Sequence, residues 1–319
     1  MEQVATLCLS IRLRKSLKYD VIYLRDGDPF IFVPFVLGLV SRNQRWAISI
    51  IGTKAIRDTD SLYYRFINAP FWKPVYRRVL SRNRFVFLCE NNDVKDLFEK
   101  EFLDGILSRN IGVVPRGVMK ATGHRILQKE ARRHLDLPED KAVFLHFGNL
   151  HPGKDIETVL AAIRDVPDSL LVHAGKVEPE INLKRAVELW GCKSRTICHD
   201  YYIDEVEKPY YFAAADAIIL SYKKDFIQAV SMLLEAARYK LPVIASDVGN
   251  LGKLVRQYEV GSVFHAEDAA TLGDALLDCM SYSQGKRETI ASNCERLRDD
   301  FSLENWAQRC TEILTELCE

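Results

Sequence analysis

The sequence predicts an α/β chain built on parallel sheets and divided into two domains. Three observations carry that reading. Short apolar runs of the kind buried in parallel sheets end at glycine turns, and helical stretches with a regular apolar stripe follow those turns. At 319 residues and 48% hydrophobic composition, the chain is long enough to enclose two separate cores.

Residues 4–17 read as a helical stretch and residues 19–24, YDVIYL, as a buried strand, followed by the turn Arg25-Asp26-Gly27-Asp28-Pro29. Residues 30–40, FIFVPFVLGLV, are apolar but well short of the roughly 20 residues needed to cross a bilayer. Pro34 and Gly38 interrupt them, so a buried helix or an interfacial segment is expected. Residues 119–130, MKATGHRILQKE, are polar and place the boundary between the units near residue 124.

The second unit opens with residues 141–163, KAVFLHFGNLHPGKDIETVLAAI: a strand from Val143 to Phe147, a turn at Gly148, and a helix from about Asp155. Gly148 lets the backbone turn sharply and approach a ligand closely. Lys154 stands beside the amino end of the helix, where free N–H groups and the helix dipole favour an anion. Taken singly, Lys154 is either a solvated cation closing a loop or a phosphate partner.

Residues 222–249, YKKDFIQAVSMLLEAARYKLPVIASDVG, read as loop, helix and buried strand ending at a glycine turn. Met232, Leu233, Leu234, Ala236 and Ala237 supply the helix's apolar residues, Pro242 punctuates its exit, and Val243-Ile244-Ala245 is the strand. This is the carboxyl edge of a βαβ unit, where open α/β sheets place ligands. Glu235 is the odd residue in that helix. It is either solvated or aimed at something polar, such as a ligand hydroxyl.

Together these segments resemble the carboxyl-terminal half of the GT-B glycosyltransferases, specifically the family 4 (glycosyl transferases group 1) type. FGNLHPGKDIETVLAAI is similar to the family's strand, glycine, lysine and helix. LVHAGKV, from Leu171, resembles the next strand and turn. ICHDYYIDEVEKPYYFAAADAIILSYKKD, from Ile197, resembles the segment in which a turn, a short helix and the phrase "AAD" lead into a buried strand. LLEAARYKLPVIASDVGNLGKLV and GSVFHAEDAATLGDAL resemble the family's closing block. In the first unit, residues 46–52, 85–89 and 111–117 look like successive strands, and Glu90-Asn91-Asn92-Asp93 like a capped helix start.

The resemblance implies a GT-B fold, two Rossmann-like domains facing a cleft with the first incomplete. It implies residues 1–124 as an abbreviated acceptor-side domain, 125–300 as the nucleotide-sugar domain and 301–319 as a helix crossing back. Lys154 falls where the family has a lysine on the donor diphosphate, and Glu235 where a glutamate accepts hydrogen bonds from the donor ribose. Gly148 and Asn149 would admit the diphosphate to the backbone, with His151 in the same turn. Tyr202 and Ile203 would border the nucleobase, and Gln228 and Ser231 would lie near the sugar or phosphates. No metal is implied, because positive side chains and helix ends take its place.

The chain also departs from the family pattern. Asn149 stands where an arginine usually follows the glycine, and Ile227-Gln228-Ala229-Val230 replaces a loop of hydroxyls, glycine or an acidic residue, keeping only Gln228. Ile51 stands where the family often has histidine, and the opening βαβ unit with its glycine-rich loop is expected to be missing.

Charge is unevenly shared. Residues 1–120 hold 20 Lys and Arg against 12 Asp and Glu, and residues 121–319 hold 24 against 32, although the whole chain is neutral. The basic excess lies between Arg42 and Arg84, where Arg65, Lys73, Arg77, Arg78, Arg82 and Arg84 alternate with aromatic residues. That pattern suits either a solvated amphipathic pair or peripheral contact with an anionic membrane or a lipid-linked acceptor; nucleic acid is not expected as a partner.

The eight cysteines form no CxxC pair and no metal spacing with histidine, and no secretory leader is read, so reduced, mostly buried thiols and a cytoplasmic protein, in peripheral contact with the inner face of the membrane at most, are expected. His146, His151, His173 and His199 fall at or near strand ends, with His151 nearest Lys154.

The expected activity is transfer of a hexose from a nucleoside diphosphate sugar to a hydroxyl on a glycan or lipid-linked acceptor, with retention, in glycan, polysaccharide or glycolipid synthesis. The alternative is a non-catalytic GT-B binding or partner subunit.

Overall fold

The computed structural model describes residues 21–25, 45–50, 74, 85–103, 110–119, 126–226 and 231–318. The chain divides into two compact units, residues 1–117 with 303–319, and residues 118–302.

The first unit holds a four-stranded parallel sheet in the order β1 (Val21–Arg25), β2 (Arg45–Ile50), β3 (Phe85–Cys89) and β4 (Ile111–Val113). Trp46, Ala47 and Ile48 are all buried, as are all five residues of β3, so these strands are covered on both faces and need no polar alternation. Arg25 belongs to β1 and not to the turn expected after it, and the strand expected over 111–117 ends at Val113. Helix α1 (Asn92–Leu103) begins where Asn91 Oδ1 accepts a hydrogen bond from Val94 N at 2.8 Å, the cap anticipated from Glu90-Asn91-Asn92-Asp93. The C-terminal helix, Leu303–Cys318, packs Cys310 and Ile313 against Ala47, Val86, Leu88 and Val114. Most of the basic aromatic stretch between Arg42 and Arg84, including Ile51, lies outside the described residues, as do residues 4–17 and 30–40.

The second unit alternates helices and strands until two consecutive helices close it. In chain order these are α2 (Gln128–His134), β5 (Ala142–Phe147), α3 (Ile156–Asp165), β6 (Ser169–Ala174), α4 (Leu183–Leu189), β7 (Thr196–His199), α5 (Lys208–Ala214) and β8 (Ala217–Leu220). They continue with α6 (Ser231–Arg238), β9 (Val243–Ser246), α7 (Gly249–Tyr258), β10 (Gly261–Phe264), α8 (Ala269–Met280) and α9 (Gln284–Asp300). The strands form one parallel sheet in the order β10-β9-β8-β5-β6-β7.

Alternate strand residues feed opposite cores. Val143, Leu145 and Phe147 face the core built with α2, α5, α6, α7 and α9, whereas Phe144 faces the one built with α3, α4 and α8. Arg132 ties α2 to the sheet: Nη2 lies 2.8 Å from Asp216 Oδ2, which also accepts Val143 N at 2.8 Å. The chain enters and leaves this unit side by side, with Val118 N donating to Phe301 O at 2.8 Å and Val118 bridging Ser302. Among the described residues six cysteines are free and five of them buried. No helix among them is long and apolar enough to cross a membrane.

Candidate functional site

Strand order reverses between β5 and β8: from β5 the chain moves to β6 and β7, and from β8 to β9 and β10. The crevice at the carboxyl ends of such a pair is where doubly wound sheets take ligands. Here the loops leaving β5 and β8 are paired to each other. Asp155 N donates to Ser221 O at 3.1 Å, Lys223 N to Gly153 O at 3.1 Å, and Lys154 and Tyr222 form an antiparallel bridge.

The other flank of the β5 loop is held by the loop leaving β6. Leu150 N donates to Lys176 O and Glu178 N to Leu150 O, while Gly148 N donates to Ala174 O. Gly148 has φ +83° and Gly175 φ +150°, and a Cβ on Gly175 would lie 2.4 Å from Gly148 O. Glycine at 175 is therefore a packing requirement as well as a conformational one.

Lys154 sits inside this frame, 8% exposed. Its ammonium donates to Phe147 O at 2.7 Å and lies 3.5 Å from Gly148 O, at the carboxyl end of β5. Burial lowers its pKa to about 7, because removal from water penalises the charged form. Lys154 is therefore not the solvated cation that a loop closure alone would leave. Next to it, Asp155 caps α3 by accepting Thr158 N at 3.2 Å. Asn149 is exposed and Gly148 half-buried.

His151 Nδ1 accepts Gly153 N at 3.1 Å, and its ring packs 5.5 Å from Phe226, which stacks on Tyr222 at 4.4 Å. His146 and His173 do not reach toward a ligand; they pair with each other under the loop, Nδ1 to Nδ1 at 2.9 Å. His173 Nε2 donates to Gly175 O at 2.9 Å, so its Nδ1 is the acceptor and His146 Nδ1 carries the shared proton. That leaves His146 Nε2 as a buried acceptor with no hydrogen-bond partner. Burial and the nearby Lys154 charge hold His146 well below its ordinary pKa and His173 down at about 4. His199 is taken up by Tyr211, 2.6 Å from Nδ1 to the hydroxyl.

On the β8 side, Ser231 is exposed at the first position of α6, and Glu235 is half-buried one turn on. Glu235 is ion-paired: Lys208 Nζ lies 3.9 Å and Arg238 Nη1 3.7 Å from its Oε2. Tyr202 is exposed after β7, whereas Ile203 turns its side chain into the core. Gln228, with residues 227–230, lies outside the described residues. Sequence reasoning missed Tyr222, Phe226, Lys208 and Arg238; only Arg238 left a signal, the Glu-x-x-Arg spacing that puts it on the same helix face as Glu235. Among the described residues no group of three or more His, Cys, Asp or Glu is arranged to hold a metal ion.

A parallel sheet covered by helices on both faces defines a doubly wound α/β protein, and comparison with known proteins gives its family. The model of glycosyl transferases group 1 matches residues 128–296, and the chain belongs to that family. Its fold is that of the GT-B glycosyltransferases. Sucrose-phosphate synthase from Thermosynechococcus elongatus is 20% identical, with a TM-score of 0.75 over 98% of this chain and 77% of that one. HepE from Anabaena, solved in complex with UDP, is 17% identical, with a TM-score of 0.76 over 98% and 81%. WaaG, a glycosyltransferase involved in lipopolysaccharide biosynthesis, is 13% identical, with a TM-score of 0.68 over 98% and 95%. No curated protein matches the sequence.

Proposed function

We propose that this glycosyltransferase moves a hexose from a nucleoside diphosphate sugar to a hydroxyl acceptor on a glycan or lipid, with retention of configuration. The observation that carries the reading is the buried ammonium of Lys154 at the β5/β8 switch point. A cation kept from water beside a helix amino end stabilises charge on a departing diphosphate far more than a solvated one does. Similar folds solved with UDP and UDP-glucose support a nucleotide-sugar donor.

In this reading the diphosphate displaces Phe147 O and Gly148 O as the partner of Lys154, over Gly148 and the exposed Asn149, with His151 in the same turn. Glu235 accepts hydrogen bonds from the ribose, Ser231 and Gln228 lie near the sugar or phosphates, and Tyr202 and the backbone of Ile203 border the base. The bond from the anomeric carbon to the diphosphate breaks and that to the acceptor oxygen forms on the same face; the acceptor's proton passes to the leaving diphosphate. No enzymic nucleophile and no metal enter the reading. The neutral Asn149, in a place where family members carry arginine, favours a second reading, a non-catalytic subunit that binds the nucleotide without turning it over.

A thermal-shift panel of UDP, GDP, ADP, CMP and their sugar conjugates tests the donor site on the protein and on Lys154→Ala and Glu235→Ala. Stabilisation by one diphosphate, lost in both variants, is the expected result. A folded protein that none of them stabilises overturns the reading. Proton NMR of the anomeric signal in the first product then reads retention against inversion, and absence of product from a protein that binds its donor selects the non-catalytic reading.

A further inference from the structure

Two cations from different elements converge on one oxygen of Glu235. Lys208, at the start of α5, and Arg238, one turn further along α6, lie 3.9 and 3.7 Å from Oε2, with side-chain exposures of 13% and 10% against 21% for Glu235. These separations give attraction without a hydrogen bond, and Oε2 is buried with no hydrogen-bond partner. The cations are themselves braced. The Arg238 guanidinium lies over the Tyr239 ring, 5.5 Å from its centroid, and Tyr239 stacks on buried Phe212 at 4.5 Å. Lys208 is paired back to Glu205, in the loop that carries exposed Tyr201, Tyr202 and Val206.

A glutamate on a helix has three side-chain torsions, and a solvated carboxylate uses them freely. Two enclosed charges on one oxygen remove that freedom and leave the second oxygen as the one able to accept from a ligand. We infer that Lys208 and Arg238 are positioning residues that hold Oε2 of Glu235 and aim its other oxygen at the hydroxyls of a ribonucleotide, so that they set discrimination for ribose over deoxyribose. This rests on the donor-site reading above. The arrangement also ties the Tyr202 loop to α6 through Glu205 and Lys208, so the base side and the ribose side of the site share one network.

The test measures dissociation constants for the best-binding nucleoside diphosphate and for its 2′-deoxy counterpart, on the full chain. The unaltered protein is expected to favour the ribonucleotide by about tenfold or more. Arg238→Met is expected to cut that ratio by roughly fivefold and Lys208→Met by roughly threefold, with the deoxynucleotide's affinity hardly changed. Arg238→Lys, which keeps the charge, restores most of the ratio, and Arg238→Met adds nothing in a Glu235→Gln background. A merely structural role would weaken both nucleotides alike. An unaltered protein that discriminates while Arg238→Met and Lys208→Met discriminate equally well overturns the inference alone. An unaltered protein that binds no nucleotide takes down the donor-site reading and the inference with it.

Discussion

Lys154 and Glu235 are held by different means. The loop of Lys154 is fixed by main chain on both flanks, through Leu150 with Lys176 and Glu178 on one side and through Gly153 and Asp155 with Lys223 and Ser221 on the other. Glu235 is fixed by the charges of two side chains on neighbouring helical segments. Main-chain pairing tolerates most side-chain changes and fails only where a backbone is pushed aside. A charge clamp fails whenever either partner is lost.

The largest break in this contrast is expected from Gly175→Ala. Its new Cβ meets Gly148 O at 2.4 Å in a conformation that alanine rarely adopts, so the β5 and β6 turns must separate. A loss of about 3 kcal/mol or more in urea unfolding, together with loss of nucleotide binding, is expected. Gly285, whose Cβ would meet nothing within 4 Å, is the control, and its alanine variant should stay within about 1 kcal/mol. Stability unchanged in Gly175→Ala would show that the turns are not locked.

Lys154→Met separates stability from function. Turnover is expected to fall about 100-fold or more as the cation is lost. Thermal stability is expected to rise by about 1 kcal/mol, because a buried cation is replaced by an apolar chain of similar length. The sign with pH follows from the folded pKa of about 7 against an ordinary 10.5: the unfolded chain binds the extra proton between these values. The cost to the folded state is therefore full below pH 7 and fades toward pH 10.5. The variant's advantage in melting temperature should be larger at pH 6.5 than at pH 10, and the reverse order would count against a buried charge.

Acid probes the layer beneath. Because His173 is held down to about 4 and His146 well below its ordinary value, both stay neutral in the fold while the unfolded chain gains protons from pH 6.5 downward. Stability present above pH 6.5 should be lost as pH falls to 4, by on the order of 3 kcal/mol from His173 alone, and unfolding midpoints across that window read it. His173→Asn should flatten the slope. The smallest effect is expected from Ser231→Ala, an exposed residue: a threefold rise in Kd for the nucleotide at most, on the order of 0.6 kcal/mol, with stability within about 0.5 kcal/mol.

The parts of the fold legible in the sequence were those written in consecutive residues. The apolar run Val143 to Phe147, the glycine at 148 and the helix after Asp155 follow from strand burial, positive φ and capping, and all three appear in the structure. What could not be read depends on cross-strand register. Burial of Lys154 comes from a loop nearly 70 residues further on, and the His146–His173 pair exists because β5 and β6 align those residues as partners. The same register pairs two of the four strand-end histidines with each other, while His199 meets Tyr211 on α5. The clamp on Glu235 was half visible, since Arg238 shares its helix and Lys208 does not.

The side-by-side crossing at Val118, Phe301 and Ser302 makes residues 118–302 a cassette. A polypeptide whose two ends meet at one point can be lifted out of its host, or spliced into another, with a join of a few residues and no loose terminus to cover. For this chain, residues 118–302 could be expressed by themselves, labelled by themselves for NMR, or exchanged as a block with those of a relative, leaving every strand of the sheet in its own order.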